Sequence, residues 1–93
     1  MLAWSPAELA RLDPGTRDRE ALRLGLIAEL DAINLYEQLA AVVTDERIKK
    51  VLLDIAREEK THVGEFLELL LRHDAEQVKE LAEGKEEVEE LGG

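Results

Sequence analysis

Residues 55–66 read Ile55-Ala56-Arg57-Glu58-Glu59-Lys60-Thr61-His62-Val63-Gly64-Glu65-Phe66. Nothing in the stretch breaks a helix, and its apolar positions recur at the helical period. Extended both ways in steps of three and four, the row becomes Leu52, Ile55, Glu59, His62, Phe66, Leu69 and His73. This is a heptad seam, the pattern of a helix packed along its length. It is apolar except at His73 and at its centre, where Glu59 and His62 lie between Ile55 and Phe66.

A second seam lies upstream: Leu22, Leu26, Glu29, Ile33, Tyr36, Ala40 and Val43. It too is interrupted near the middle, by Glu29. The patterns predict one helix from about 18 to 43, capped by Thr16 or Asp18. A second runs from 45 to 73, capped at Thr44-Asp45. The turn between them is short, so the helices should lie antiparallel. Asp45–Lys49, Glu46–Lys50 and Glu68–Arg72 stand four apart with the acid first, which supports the second helix.

Both helices carry another apolar stripe. It comprises Ala28, Ala32, Leu35, Leu39 and Val42 on the first, and Leu53, Ala56, Val63, Leu67 and Leu70 on the second. One hairpin cannot bury two stripes per helix, so packing between chains is expected. Gly25 and Gly64 cost about 1 kcal/mol each inside helices and suggest close backbone approach.

The ends are simpler. Ser5-Pro6-Ala7-Glu8 has the form of a capping box with proline at the first helical position, so a short helix should open there. Asp13-Pro14-Gly15 should stop it. Asp74-Ala75-Glu76-Gln77 looks like a further cap. A weak helix should follow to about Glu83, break at Gly84 and resume for a turn or two over 85–91. Residues 85–93 are expected to be mobile. The whole is read as one all-α domain over 1–93: an N-terminal segment (1–16), a hairpin (17–73) and an acidic tail (74–93).

Composition narrows the chemistry. The 93 residues include 22 acidic and 12 basic side chains, a net charge of −10. Such a surface repels phosphate, so neither nucleic acid nor an anionic membrane is an expected partner. No apolar run approaches the ~20 residues of a membrane span. There is no cysteine, which excludes disulfides, thiolate zinc sites and iron–sulfur clusters. Residues 74–93 hold eight acids against two bases, a net of −6.

Polar groups in the middle of both seams need an explanation, because a buried unpaired carboxylate is costly. A salt bridge would serve, but the seams hold no Lys or Arg and His62 is the only nearby cation. The groups could instead lie at the rim. A divalent cation neutralises carboxylates and accepts imidazole nitrogen, and the spacing favours it. Glu59-x-x-His62 places two donors one turn apart on one face. With Glu29 this is half the inventory of a di-iron carboxylate bundle, which takes Glu from two helices and Glu-x-x-His from two others. A second copy about a two-fold axis would supply the rest and close a four-helix bundle. Tyr36, two turns after Glu29, reads equally as a group serving the site or as a core ring. His73, beside Asp74, reads as a helix-end cation partner rather than a ligand.

The segments Ile27-Ala28-Glu29-Leu30-Asp31-Ala32-Ile33-Asn34-Leu35-Tyr36-Glu37 and Ala56-Arg57-Glu58-Glu59-Lys60-Thr61-His62 resemble the encapsulated ferritin-like proteins of the ferritin and rubrerythrin superfamily. The resemblance covers about residues 18–91. It implies a two-helix protomer that forms a ferritin-like four-helix bundle on dimerisation, with a di-iron ferroxidase site across the homodimer interface. It also implies a decamer, a ring of five dimers, inside an encapsulin shell in the cytoplasm. Glu29, Glu59 and His62 match the family's iron ligands, and Tyr36 matches a residue near the site. Asp31 matches an acid on the metal entry route, where Ala28 replaces a second acid. Leu35 stands where some members carry Trp. Some members carry a C-terminal targeting peptide and others are fused to the shell protein. The ending Glu-Glu-Leu-Gly-Gly shows no apolar targeting tail, which leaves open that the chain is the N-terminal part of such a fusion.

The expectation is therefore a ferroxidase holding two Fe ions per dimer, with Glu59 and its symmetry mate bridging and Glu29 and His62 terminal. Two other readings stand beside it. A rubrerythrin-like peroxidase would need a Cys-ligated iron partner for electrons. A non-catalytic helical oligomerisation module would use the polar centre for metal or for register.

Overall fold

Three aspartates set the starts of the long helices. The computed structural model describes residues 5–92, so the first four residues, Trp4 among them, and Gly93 in the expected frayed end lie outside the described region. The described chain contains four helices: α1 (Pro6–Leu9), α2 (Pro14–Val42), α3 (Glu46–His73) and α4 (Ala75–Glu90). The fold is all-α, as the seams require.

The capping box forms as read: the Glu8 amide donates to Ser5 Oγ and the Ser5 amide donates to Glu8 Oε2. The next start differs from expectation. Asp13-Pro14-Gly15 both ends α1 and opens α2, with Asp13 Oδ2 accepting from the Thr16 amide at 3.0 Å. Proline at the first position of α2 lacks only an N–H that would be unpaired anyway, and its φ is already helical. Arg17 ties the corner by donating to the carbonyls of Ala10 and Leu12. Asp45 is occupied as a cap, accepting from the Arg47 and Ile48 amides. Of the three expected i, i+4 pairs, Glu68–Arg72 forms, at 3.1 Å.

The tail also departs from expectation. α4 continues through Gly84 to Glu90. A mid-helix glycine costs about 1 kcal/mol but demands no break, and its neighbours are good helix formers. The stop comes at Gly92, with φ +91°, a left-handed value that glycine adopts freely. α4 stands off from the hairpin. Its backbone approaches only α3, and Gln77 is its sole side chain that is not exposed.

α2 and α3 form the antiparallel hairpin that carries the core. α2 packs with its predicted seam, from Leu22 to the buried Ala40, and leaves Leu35, Leu39 and Val42 (74% exposed) in the open. α3 is rotated from expectation. Its two buried residues, Ala56 and Leu70, come from the second stripe, whereas Leu69 of the seam is exposed. The hairpin-facing row is thus Leu52, Ala56, Glu59, Val63, Phe66 and Leu70, with His62 and Leu69 at its edge. Both rows obey the same spacing, and on a helix with two adjacent apolar stripes periodicity alone cannot choose between them. Gly25 meets the Phe66 ring, as close approach requires, but a Cβ placed at Gly64 would point into open space in this chain.

The chain as a whole is extended rather than rounded. Its radius of gyration is 16.7 Å, against about 12 Å for a compact chain of this length. Its accessible surface is 7165 Å², about 1,700 Å² more than a folded monomer of 10.5 kDa ordinarily exposes.

Candidate metal centre

Glu29 lies near the middle of α2, and Glu59 and His62 near the middle of α3. The hairpin brings them together. One donor atom from each falls within 4.8 Å of the others. His62 Nδ1 is 3.4 Å from Glu29 Oε2 and 3.5 Å from Glu59 Oε2. The two carboxylates are largely withdrawn from water, at 19% and 18% side-chain exposure, whereas His62 is 44% exposed. The rotation of α3 explains the difference: Glu59 belongs to the row facing α2, and His62 sits one turn on, at the lip.

Glu29 Oε2 is buried and accepts no hydrogen bond among the described residues. The 3.4 Å separation from His62 Nδ1 is longer than an N–H···O bond. The contact is within ion-pair range, but a buried carboxylate oxygen without a hydrogen bond is costly. Two hard oxygen donors and one imidazole suit a divalent first-row cation, and the orphaned oxygen fits that use. The group is closed by protein on the α2 side and open on the His62 side. There His62, Glu65, Phe66 and Leu69 line a surface hollow. Three protein donors would leave positions open around a single such cation.

The remaining candidate residues fall outside this group. Asp31 is exposed on α2, and Tyr36 is half-buried two turns beyond Glu29. His73 lies at the far end of α3, beyond Phe66 and Leu69, where it lines a hollow with Asp18, Ala21 and Leu22. Asp74 is not paired with it. Arg23 Nη2 donates to Asp74 Oδ2 at 2.9 Å. The Gln77 amide chiefly holds the Asp74 carboxyl below the usual carboxylate range; desolvation opposes it, and the Arg23 guanidinium adds to the lowering. Two cross-helix ties leave no mark in the sequence pattern: this one, and Lys60 Nζ to Glu37 Oε2 at 3.5 Å, one residue beyond Glu59. Neither has a signal in spacing along a single helix, because each depends on how α2 lies against another element.

Known proteins are similar to this chain in sequence and in fold. The chain matches the family described as EncFtn-like over residues 6–87. It is 58% identical over 95 aligned residues to the ferritin-like–encapsulin shell fusion protein of Pyrococcus furiosus, with all of this chain and 28% of that protein covered. It is 42% identical over 69 residues to the encapsulin nanocompartment cargo protein EncC of Myxococcus xanthus, covering 74% of this chain and 51% of that one. The chain thus spans about a quarter to a half of the length of these curated relatives. It superposes on the crystal structure of the encapsulated ferritin domain from Pyrococcus furiosus with a TM-score of 0.83, at 56% identity, over 98% of this chain and 95% of the other. With a family match over most of its length and a shared ferritin-like helical fold, the chain belongs to the EncFtn-like family.

Proposed function

We propose that this chain is a ferroxidase whose di-iron site forms between two copies. The observation that carries this reading is the buried, unbonded Glu29 Oε2 facing Glu59 and His62 at mid-hairpin. Two such sets, related by a two-fold axis through the open His62 side, supply four carboxylates and two imidazoles. That is the donor set of a di-iron carboxylate bundle. The surplus of about 1,700 Å² of exposed surface is of the size that a stable interface removes.

Iron is the substrate in this reading. Carboxylates carry negative charge and therefore bind Fe³⁺ more strongly than Fe²⁺, which makes loss of an electron easier. Two Fe²⁺ held side by side deliver two electrons together, and O₂ takes them with two protons to give H₂O₂; peroxide as oxidant would give two waters. Glu59 and its symmetry mate bridge the ions, and Glu29 and His62 bind terminally. Tyr36 serves the surroundings of the site, and exposed Asp31 lies on the entry route. The relatives' names speak of an encapsulin shell and of nanocompartment cargo. We extend that setting to this chain, with an encapsulin shell as partner and container and a decameric ring of five dimers as the assembly.

Oxygen consumption on adding Fe²⁺ tests the activity. The parent protein should consume O₂ rapidly with one iron bound per chain. Glu59→Ala should keep its helices and lose the rapid phase. Metal binding without turnover would leave a metal-stabilised oligomerisation module in place of a ferroxidase.

A further inference from the structure

Between α3 and α4 stands a single non-helical residue. Asp74, with φ −146° and ψ 90°, is both the C-cap of α3 and the N-cap of α4. The longest dimension of the protein is 47 Å, whereas residues 46–90 in one helix would run about 66 Å. The chain therefore bends sharply at Asp74.

Neither proline nor glycine accounts for this bend. Sharp bends are ordinarily found at proline, at glycine or at a backbone bulge. Residues 70–79 read Leu-Leu-Arg-His-Asp-Ala-Glu-Gln-Val-Lys, without either residue, and most are good helix formers. A continuous helix through 74 would also close about four backbone hydrogen bonds that the two separate ends forgo. Nor does packing within the chain hold α4 in place, since Gln77 is its one side chain that is not exposed.

What remains is the Asp74 side chain. Oδ1 accepts from the Gln77 amide at 3.0 Å, capping α4. Oδ2 accepts from Arg23 Nη2 at 2.9 Å, tying the corner to α2. The carboxylate is 14% exposed. One acid thus satisfies the start of α4 and anchors it to the hairpin.

We propose that Asp74 is a two-state hinge latched by Arg23: with the pair intact α4 leaves the hairpin at the bend, with the pair broken the bent form exchanges with one in which α3 and α4 run on as one helix, and with the cap lost as well the continuous helix prevails. The latch determines where α4 aims Val78, Leu81 and Val88, which are all exposed. Whatever competes for the Arg23 guanidinium or the Asp74 carboxylate redirects that apolar face by rebuilding one residue of backbone.

The chain has no cysteine, so Lys50→Cys and Lys85→Cys place two nitroxide labels cleanly, on exposed positions of α3 and α4. Pulsed electron-resonance distances are measured in protein diluted with unlabelled chains, so that only intramolecular pairs are read. The parent should give one short distance. Asp74→Ala, lacking both cap and anchor, should move to about 52 Å, the span of 35 residues of helix. Arg23→Ala and Asp74→Asn, which lose the charge pair but not the cap, should show both distances. An Asp74→Ala protein that keeps the parental distance, or that gives a broad distribution without the long peak, overturns the hinge. Should Asp74→Ala fail to fold by circular dichroism, Arg23→Ala decides in the same way: the parental distance alone overturns the latch.

Discussion

Gly25 of α2 lies beneath the ring of Phe66 of α3, so close that a Cβ at position 25 would stand 2.5 Å from Phe66 Cε1. Phe66 is one turn beyond His62 on the same helix. The contact fixes how near the two helices come, beside the point where their polar donors meet.

Gly25→Ala should therefore destabilise the protein despite a helix-propensity gain of about 1 kcal/mol. Displacing a packed ring costs about 1–3 kcal/mol, so the expected net effect is a loss of about 1 kcal/mol. Urea unfolding of Gly25→Ala, Phe66→Leu and the double variant checks it. The double variant should be more stable than the sum of the single losses predicts, because the smaller side chain makes room for the methyl group. Additive losses would show that the loss at position 25 does not arise from the Phe66 ring.

Glu29→Gln should stabilise the metal-free protein. The amide removes a charge from a position where Glu29 Oε2 has no hydrogen bond and Glu59 is close. It also offers an N–H to the neighbouring carboxylate. A gain of about 1–2 kcal/mol in the presence of chelator is expected. The same variant should lose most of the stabilisation that Fe²⁺ or Co²⁺ gives the parent. Equal metal-induced shifts in the parent and in Glu29→Gln would remove Glu29 from the ligand set.

Metal and association should be linked. Four carboxylates meeting in one dimer seam repel one another, and divalent ions cancel that charge only where both copies are present. Sedimentation velocity should show a larger monomer fraction in chelator and a shift to dimers or larger rings with Fe²⁺, Zn²⁺ or Co²⁺. The Glu29→Ala/Glu59→Ala protein should associate regardless of metal. A parent protein already fully assembled at low micromolar concentration in chelator, unmoved by metal, would leave the apolar faces as the only drive to assembly.

The Asp74 contribution should vanish in acid. Its folded-state pKa lies below the ordinary value, chiefly through the Gln77 amide and secondarily through Arg23. Stability from such a group is complete above the unfolded value of about 3.9 and is lost as pH falls through the lowered folded value. The stability gap between parent and Asp74→Asn should thus stay constant from pH 7 to 5 and shrink below about pH 4. A gap unchanged at pH 3 would mean that the aspartate acts through shape and not through charge.

Much of this is legible in the sequence because helices announce themselves. The Ser5–Glu8 box, the Asp45 cap, the hairpin and the meeting of Glu29 with Glu59 and His62 all follow from spacings along a helix. What the spacings miss has a common cause. Pro14 and Gly84 read as breaks by residue type, yet each is compatible with helical φ where it stands. The rotation of α3, which puts Ala56 and Leu70 inside and Leu69 outside, depends on a choice between adjacent stripes that only the partner helix makes. Arg23–Asp74 joins residues 51 apart, and no local pattern marks it.

Glu59 stands thirteen residues from the first residue of α3 and fourteen from the last, and Glu29 fifteen and thirteen from those of α2. Each carboxylate is therefore about 20 Å from either end of its helix. The partial charges at helix ends act within a turn, and at physiological salt the screening length is about 8 Å. So the backbone field is nearly silent at the polar centre: among the described residues no helix N-terminus eases the negative charge there. Relief can come only from a proton or a cation placed directly among the donors. A site built at mid-helix responds to its occupant and is insulated from charge changes at either end of the hairpin.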